Sequence, residues 1–357
     1  MILVTGGTGF IGRAVVARLV AAGRDVAVLA RRRDARDARA RVAAALGDEA
    51  AGVRVVEGEL AAEGAGLAPD ERRWLRERVE TVVHCAGDTS FAPRLSAPYV
   101  AAHVDGPVAL LRALAGGRLE RWVHMSTAYV CGTREGTIRE DEGDLGQTFH
   151  NAYERVKLQA ETAVRAAGAA AGIDVRVLRP SIVVGAAPAT AGGTPSSLFF
   201  AFVRLLAGLA RWRADAPLRL EGAPRARFNV VPLDHVAAAT VALAACPEAA
   251  GGTFHLVVRD APRQAAMLAL LVERLGVSGL RLLDARSEPL VDPSPLERRV
   301  ARMLGPYRAY LGQDVRFDDT AAAAALTRVG VPSATLTAGD VRRLVDLALL
   351  GETPAPV

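Results

Sequence analysis

A chain of 357 residues, 51% of them hydrophobic, is long enough for one large domain or two modest ones with a substantial buried core. The net charge of +5 would suit an acidic partner, but the arginines are scattered among Asp and Glu and aromatic residues make up only 5%, so we expect no nucleic-acid binding. No apolar run reaches the roughly 20 residues that a membrane-spanning helix needs, so we expect no membrane span.

The cysteines indicate the cellular compartment. Cys85, Cys131 and Cys246 are odd in number and lack metal-ligand spacing, so we interpret them as small buried residues in a reducing compartment and expect no metal site. We also expect no secretory signal before the first strand, because a glycine-rich loop begins at Gly6. These features predict a cytoplasmic location.

The chain begins with a strand pattern, a glycine-rich turn and a helix pattern. An apolar run to Val4 leads into Thr-Gly-Gly-Thr-Gly-Phe-Ile-Gly at 5–12, and an apolar helix face follows. In this context the first glycine lets the chain turn, the second lets backbone approach a pyrophosphate, and the third lets the helix pack on the strand. The first amides of such a helix lack partners and attract anions. We predict a dinucleotide site here, with a turn that binds no ligand as the alternative; its residues are Gly6, Thr8, Gly9, Phe10, Ile11 and Gly12.

The end of the second strand, at 25–30, indicates which dinucleotide is bound. A carboxylate there would hold the ribose diol of NAD, but this strand ends in Ala30 and is followed by arginines. A guanidinium pairs well with a 2′-phosphate. We therefore predict NADP(H), with Arg31 and Arg32 as ligands and Arg41 as a weaker third. The alternative is a solvated basic helix start.

The third and fourth strands extend the predicted cofactor site. The third, at 53–60, would bring Glu59 and Leu60 to the adenine, although Glu59 is equally well interpreted as a turn cap. The fourth, at 81–87, ends in Ala86 and Gly87, small residues that let backbone lie against a cofactor. We interpret His84 in this strand as a core residue rather than a catalyst.

Four polar residues form a candidate catalytic group. Ser126 and Thr127 end a fifth strand at 122–127, where open α/β sheets bind their ligands. Tyr153 and Lys157 lie four residues apart in a helix predicted near 151–167 and so share one face. A nearby ammonium lowers the pKa of a phenol, and an oxidised nicotinamide would add to that, so the phenol would exchange a proton near neutral pH. Lys157 is the only lysine among 44 basic residues, which suggests a task that a guanidinium cannot perform.

Strands and helices alternate as far as a sixth strand at 175–179, which stops at Pro180. This rhythm predicts an α/β fold with a Rossmann-type doubly wound parallel sheet. Beyond residue 185 the pattern is less regular, with Asp234 as a predicted helix N-cap and a frayed tail at 352–357. We expect a loop at 185–197, helices at 198–212, 234–245, 262–275, 296–311 and 338–350, and short strands near 217–220, 227–232, 253–258 and 280–283.

The predicted division is an NADP-binding domain at 1–184, to which 226–246 returns, and a smaller C-terminal α+β substrate lobe. The lobe would consist of 185–225 and 247–357. An apolar stripe in it suggests either an acyl cleft or an ordinary core helix; it consists of Leu198, Phe199, Phe202, Val203 and Leu206.

The chain resembles an extended short-chain dehydrogenase/reductase through its segments 5–12, 126–132, 153–157, 178–181 and 228–236. The resemblance implies that Thr127 donates to the substrate oxygen, with Ser126 beside it. It also implies that Tyr153 donates the proton and that Lys157 clamps the ribose and lowers the tyrosine's pKa. The backbone around Pro180 and Ser181 would meet the nicotinamide amide.

Within that superfamily the chain is most similar to the thioester reductase and fatty acyl-CoA reductase branch of male sterility type. The similarity lies in 84–91, 124–129, 29–31 with Arg41, and 307–318. It implies NADPH-dependent reduction of an acyl thioester, on CoA or a carrier protein, to an aldehyde, and the alternative of a second hydride transfer to the alcohol stays open. His103 stands where the family usually has asparagine, and the substrate lobe is shorter than in long-chain acyl reductases.

Other functions share this core. An NADP-dependent ketone or alcohol oxidoreductase of secondary metabolism is one alternative, and a sugar-nucleotide epimerase or dehydratase is another. Epimerases usually hold NAD, which Arg31 and Arg32 argue against. A third alternative is a catalytically silent NADP(H)-binding sensor. The resemblance further suggests a homodimer through the apolar helices near 95–115 and 151–167.

Overall fold

The computed structural model describes residues 1–32, 37–89, 95–185, 198–210 and 217–350. The sequence predictions for the loop after Gly185 and for the tail lie outside these residues. The strands in chain order are β1 (Ile2–Thr5), β2 (Val26–Ala30), β3 (Val53–Glu57), β4 (Thr81–His84), β5 (Arg121–Met125), β6 (Gly136–Ile138), β7 (Asp174–Pro180), β8 (Ile182–Val184), β9 (Leu218–Gly222), β10 (Val230–Pro232), β11 (Thr253–Leu256), β12 (Leu280–Asp284) and β13 (Val315–Phe317).

The described helices alternate with these strands. They are α1 (Phe10–Ala21), α2 (Ala38–Leu46), α3 (Pro69–Arg78), α4 (Ala97–Val100), α5 (Gly106–Leu114), α6 (Ala152–Ala171), α7 (Leu198–Ala210), α8 (Leu233–Ala245), α9 (Gln264–Leu275), α10 (Pro295–Met303), α11 (Arg308–Gly312), α12 (Thr320–Arg328) and α13 (Ala338–Leu349).

Seven of the described strands form one parallel sheet in the order β11-β7-β5-β4-β1-β2-β3. The first three strands, β1 to β3, form one half of the sheet. The chain then crosses to β4, and β4, β5, β7 and β11 form the other half. The order therefore reverses between β1 and β4, where Thr5 pairs with His84. Ligands of such sheets bind beyond the carboxyl ends of the strands at this reversal. The predicted Rossmann-type doubly wound sheet is confirmed.

Helices cover both faces of the sheet because its strands are apolar on both sides. On one face Val15 and Leu19 of α1 pack with Val236 and Ala239 of α8. On the other face Trp122 lies among buried residues of α3, α5 and α6, which are Leu75, Leu110, Leu111, Leu114 and Val164. Each large apolar side chain buried in this way stabilises the fold by about 1.5–3 kcal/mol.

The remaining strands form three parallel pairs, β8 with β10, β9 with β12, and β6 with β13. A second core surrounds α7, α9 and α13, where Phe199, Val203 and Leu206 are fully buried together with Leu271 and Val345. Most of the apolar stripe is therefore core. Phe202 in addition borders a cavity that is described below.

Several element boundaries differ from the sequence predictions. The helix expected at 95–115 is divided by a π-helical turn, Ala101–Asp105, between α4 and α5. The helix expected at 296–311 is divided into α10 and α11, and the strand expected at 253–258 ends at Leu256. Asp234 is not an N-cap: Pro232 takes that position with an extended backbone, so α8 begins one residue earlier and Asp234 lies in its first turn.

The second half of the chain contributes to both parts of the molecule. α8, in the segment expected to return to the cofactor domain, packs on α1. β11 is the edge strand of the main sheet, although it lies in the segment that the sequence analysis assigned to the lobe. The division into two domains remains a prediction.

Candidate active site

The glycine-rich loop after β1 packs tightly against the exit of β4. Gly6 has φ +69°, and a Cβ atom there would lie 2.6 Å from the backbone nitrogen of Ala86. A Cβ atom on Gly12 would lie 2.2 Å from the carbonyl oxygen of Gly6. Larger residues would therefore force the first turn of α1 away from the sheet. This geometry agrees with the tight turn and close helix packing predicted for these two glycines.

The amino end of α1 is open to an anion. Its N-cap, Gly9, is exposed and offers no side-chain cap, and the first turn contains no acidic residue. Thr8, Phe10 and Ile11 beside it are half-buried. The amides and the positive end of the helix dipole thus face the edge of the sheet without a compensating charge. These residues fit a pyrophosphate.

The residues predicted to bind the adenosine half of the cofactor lie near the ends of β2 and β3. Arg31, Arg41 and Glu59 are close to one another, whereas Arg32 is directed elsewhere. The Arg31 guanidinium lies 3.4 Å from Glu59, and Arg41 donates to the Arg31 carbonyl oxygen at 2.5 Å. Arg32 instead pairs with Glu57 at 3.5 Å. These ion pairs are exposed, so each is worth little and an arginine is able to exchange its partner for a phosphate.

Behind the glycine loop, His84 is a core residue as predicted. Its Nδ1 lies 2.8 Å from Oγ1 of Thr5, and that hydroxyl also accepts from the Ala86 amide at 3.4 Å. The ring stacks on Trp122 and on His124, with centroid distances of 5.4 and 5.1 Å. Burial lowers the pKa of His84 well below its usual range, so the ring is neutral at neutral pH.

His103, which stands at the family's usual asparagine position, supports the loop that follows β4. Its Nε2 accepts from the Asp88 amide at 3.1 Å, and its ring packs against Gly87, where a Cβ atom would lie 3.0 Å from Cε1. The Tyr99 ring packs against the His103 ring with 4.5 Å between the ring centroids. The Tyr153 ring lies nearly perpendicular to the His103 ring, with 6.3 Å between their centroids. Burial, more than the nearby Lys157, lowers the pKa of His103 to about 4. A neutral imidazole therefore positions Gly87.

Lys157 is buried against the end of β5. Its Nζ donates to the Met125 carbonyl oxygen at 2.6 Å. Burial lowers its pKa to about 8, although Glu161 and Cys85 act in the opposite direction. Tyr153 is half-buried, and burial followed by Tyr99 and Glu154 raises its pKa. This is opposite to the lowering predicted from sequence, because burial and the neighbouring Tyr99 and Glu154 all favour the neutral phenol.

The two hydroxyls at the end of β5 differ in their hydrogen bonds. Thr127 Oγ1 accepts from the Tyr129 amide at 3.3 Å and makes a long bond to the Pro180 carbonyl oxygen at 3.5 Å. Ser126 Oγ is buried and has no hydrogen-bond partner among the described residues. Buried hydroxyls normally have partners, so an unpaired one at this sheet edge points to a polar group that binds there.

The residues after β7 reach the same edge. Ser181 follows Pro180, and its hydroxyl donates to Asn229 Oδ1 at 2.8 Å. Asn229 is held in turn by Val258, whose carbonyl oxygen accepts from Nδ2 at 2.8 Å. The backbone at Pro180 and Ser181 is therefore fixed beside Thr127.

A contact that the sequence did not predict joins the C-terminal part of the chain to the catalytic helix. Tyr310 of α11 donates to Oε1 of the fully buried Glu154 at 2.5 Å. Asn151, the N-cap of α6, donates to the Tyr310 hydroxyl at 2.8 Å, and the His150 amide donates to Glu154 at 2.9 Å. Glu154 directly follows Tyr153, so this network fixes the turn that carries the tyrosine. Tyr310 lies in the segment 307–318 that carries the resemblance, but its partner was not predicted because it is 156 residues away in the chain.

Two other features are absent from the described residues, a metal centre and a membrane span. In these parts of the chain no group of three or more His, Cys, Asp or Glu side chains is placed to hold a metal ion. None of the helices described here is both long and apolar enough to cross a membrane.

Comparison with protein families gives a match to residues 4–240 for the family described as male sterility protein. Among curated proteins, UDP-glucose 4-epimerase 4 of Oryza sativa subsp. japonica is 34% identical over 167 residues, 46% of this chain and 44% of the relative. The fatty acyl-CoA reductase wat of Drosophila melanogaster is 26% identical over 223 residues, 51% of this chain and 43% of the relative. The chain thus spans about half the length of the curated relatives it matches.

Solved structures share the fold. The terminal R domain from the myxalamid PKS-NRPS biosynthetic pathway superposes with a TM-score of 0.77 at 24% identity, over 98% of this chain and 90% of that one. A thiolation-reductase di-domain from an archaeal non-ribosomal peptide synthetase has a TM-score of 0.76 at 16% identity, over 98% of this chain and 75% of that one.

Proposed function

The chain belongs to the male sterility protein family and is an oxidoreductase of the extended short-chain dehydrogenase/reductase type, and from this premise we propose that it reduces acyl thioesters with NADPH. The acyl group would be carried on CoA or on a carrier protein, and the product would be the aldehyde or, after a second hydride, the alcohol. The observation that supports this most is the group formed at the end of β5 by Lys157, which binds the Met125 carbonyl, and the hydroxyls of Ser126 and Thr127.

The cofactor would be held along the carboxyl edge of the sheet. The Gly9 end of α1 would bind the pyrophosphate, and Arg31 and Arg41 the 2′-phosphate, with Arg32 as a weaker contributor. Glu59 and Leu60 would lie near the adenine. The nicotinamide half would lie against the backbone of four residues at the ends of β4 and β7, Ala86, Gly87, Pro180 and Ser181. When bound, the cofactor supplies a hydride to the thioester carbonyl carbon.

The side chains then handle the oxygen and its proton. Thr127 and Ser126 donate hydrogen bonds to the carbonyl oxygen as negative charge develops on it. Tyr153 keeps its proton at neutral pH because its pKa is raised, and it delivers that proton to the oxygen to give a hemithioacetal. Lys157, whose pKa is about 8, resupplies the proton. The hydroxyl proton of the hemithioacetal passes to the sulfur as the carbon–sulfur bond breaks, and aldehyde and thiol leave.

The relatives support a thioester substrate. The fruit-fly relative is named as a fatty acyl-CoA reductase, and one structural neighbour joins a reductase to a thiolation domain. The three cysteines are free, as a reducing compartment requires, and we keep a cytoplasmic location as part of the proposal.

The rice relative supports a second candidate, a sugar-nucleotide epimerase. An epimerase returns the hydride to its own substrate and shows no net cofactor consumption. The arginines beyond β2 favour a phosphorylated cofactor that is exchanged at each turnover, so we place the reductase first. A ketone or alcohol oxidoreductase with the same catalytic group is the third candidate.

One assay separates these functions. The purified protein is incubated with NADPH and a panel of acyl-CoAs, and the loss of NADPH absorbance is measured together with the release of free thiol. We expect both signals in equal amounts for aldehyde formation, or two NADPH per thiol for alcohol formation. Bound NAD that co-purifies with the protein, together with conversion of a UDP-sugar and no NADPH loss, would establish the epimerase instead. NADPH loss with ketones but without thiol release would establish the third candidate.

A further inference from the structure

A small cavity near α7 and α9 contains one polar side chain. Its volume is about 20 Å³, and it is lined by Phe202, Leu220, Phe228, Met267 and further apolar side chains, together with the amide of Gln264. Gln264 is the first residue of α9 and is only 3% exposed. An amide facing an apolar cavity is unusual, because buried polar groups generally have hydrogen-bond partners.

One half of this amide lacks a partner. Its Oε1 accepts from the Ala223 amide at 3.3 Å, which orients the side chain. Its Nε2 is fully buried and has no hydrogen-bond partner among the described residues. The cavity has room for about one water molecule, and Gln264 is the one polar side chain among the residues that line it. The geometry is that of a hydrogen-bond donor facing an apolar space.

Two chains of contacts connect the cavity to the candidate active site. Leu311, which also lines it, follows Tyr310, the residue that binds Glu154 beside Tyr153. Phe228 on the other side precedes Asn229, whose side chain binds Ser181 next to Pro180. The carbonyl oxygen of Pro180 is in turn bonded to Thr127. Two segments that line the cavity are therefore joined, through the residues next to them in the chain, to side chains that support the candidate active site.

We propose that this cavity binds a carbonyl oxygen within the acyl chain of the substrate, through the Nε2 group of Gln264. The proposal rests on the thioester reductase function given above. It names the substrate class as acyl thioesters that carry a ketone, ester or amide oxygen along the chain, in preference to saturated chains of the same length. A saturated chain in this cavity would leave the amide unpaired, whereas a carbonyl oxygen satisfies it. The side chain of Met267 is flexible, so it can change conformation to admit an acyl chain that is larger than the present cavity.

The first test compares matched substrates. We would measure kcat/KM for decanoyl-CoA and for a series of oxodecanoyl-CoAs in which the ketone is moved along the chain. We expect the protein to prefer at least one keto position over decanoyl-CoA by about 10-fold or more. Gln264→Leu should bring this ratio close to one. Met267→Leu, the control in the same cavity, should keep the preference. An unchanged preference in Gln264→Leu would overturn the proposal.

The second test needs no turnover. The side-chain NH₂ signals of Gln264 in a ¹⁵N spectrum are identified by their disappearance in Gln264→Leu, and the same spectrum reports whether that variant is folded. Titration with 2-nonanone should shift these signals, and nonane should not. If the signals shift while no acyl-CoA is reduced, the cavity assignment stands and the reductase function fails. If acyl-CoAs are reduced while 2-nonanone leaves the signals unmoved, the cavity assignment alone is wrong.

Discussion

Arg31 and Arg32 are neighbours with different partners, and this separates their expected roles. Arg31 lies beside Glu59 with Arg41 on its carbonyl, whereas Arg32 is directed to Glu57. We expect Arg31→Ala to weaken NADPH binding by about 10-fold or more, because a charge-assisted hydrogen bond to phosphate is worth about 1.5–3 kcal/mol. Its affinity for NADH should not change.

Arg32→Ala is the matched control, and we expect it to change NADPH affinity less than Arg31→Ala does. Calorimetric titration of both variants with both cofactors provides the measurement. Equal weakening of NADPH and NADH by Arg31→Ala would mean that this arginine does not bind the 2′-phosphate.

Tyr153 is expected to act as an acid that keeps its proton until substrate reduction. Its raised pKa means that the neutral phenol persists through the neutral range. Tyr153→Phe should lower kcat by about 10²–10⁴-fold, the usual contribution of a positioned proton donor, and should leave the Kd for NADPH unchanged. Stopped-flow measurement of hydride transfer and a fluorescence titration of NADPH separate the two quantities. Wild-type kcat in this variant would refute the assignment.

Burying the Lys157 ammonium lowers the stability of the folded protein, and its proposed role as a proton source explains why it is buried. Its pKa in the folded protein, about 8, lies below its ordinary value of 10.5. The unfolded state therefore binds more protons between these two values, and the free energy of unfolding should rise with pH across that window. Below about pH 8 the buried ammonium costs roughly 3 kcal/mol.

We expect Lys157→Met to abolish reductase activity while raising the free energy of unfolding at pH 7 by about 1–3 kcal/mol, since it removes this cost. Urea denaturation of both proteins between pH 7 and 10.5 tests this. The difference between them should shrink as the pH rises. A variant less stable than the wild type at pH 7 would show that the bond to Met125 outweighs the burial cost.

At the scale of elements, the Tyr310 side chain joins α11 to α6. The Tyr310 hydroxyl binds the buried Glu154 carboxylate, and hydrogen bonds to charged groups contribute about 1.5–3 kcal/mol. Tyr310→Phe should lower the free energy of unfolding by about that amount. Combining it with Glu154→Gln gives a double-mutant cycle, which should show a coupling of about 1 kcal/mol or more in urea denaturation. Additive effects would mean that the two residues stabilise the protein independently.

The elements that the sequence predicted are those with local signals. The glycine-rich loop and the Tyr153–Lys157 spacing each depend on residues that are close together in the sequence, so both can be recognised from the sequence alone. The π-helical turn at Ala101–Asp105 has no such signal, and the sequence pattern predicts one continuous helix there. The short pair of β6 and β13 was missed for a related reason: its strands are three residues long and lie far apart in the chain.

At the scale of the whole molecule, the difference between local signals and long-range contacts also separates the cofactor side of the candidate site from its substrate side. The cofactor edge follows from strand order, which alternation of strands and helices predicts. The proposed substrate side involves Tyr310, Asn229 and Gln264, whose partners are 29 to 156 residues away. Asn229 and Tyr310 lie in segments that carry the family resemblance, 228–236 and 307–318, but neighbouring residues in the sequence do not predict their partners. The pKa of Tyr153 was predicted in the wrong direction because burial is a property of the folded chain.

The C-terminal part completes the main sheet, so we expect that it cannot be removed. β11 covers the edge of β7, and Phe254 and Leu256 share a core with α1 and α8, to which Leu326 of α12 also belongs. The fragment 1–246 would expose these apolar contacts and leave an unpaired parallel edge strand, which favours aggregation. We expect it to lack a cooperative thermal transition and to bind no NADPH, as measured by near-ultraviolet circular dichroism and calorimetry. A fragment that melts cooperatively and binds NADPH would instead establish an independent cofactor domain that ends before β11.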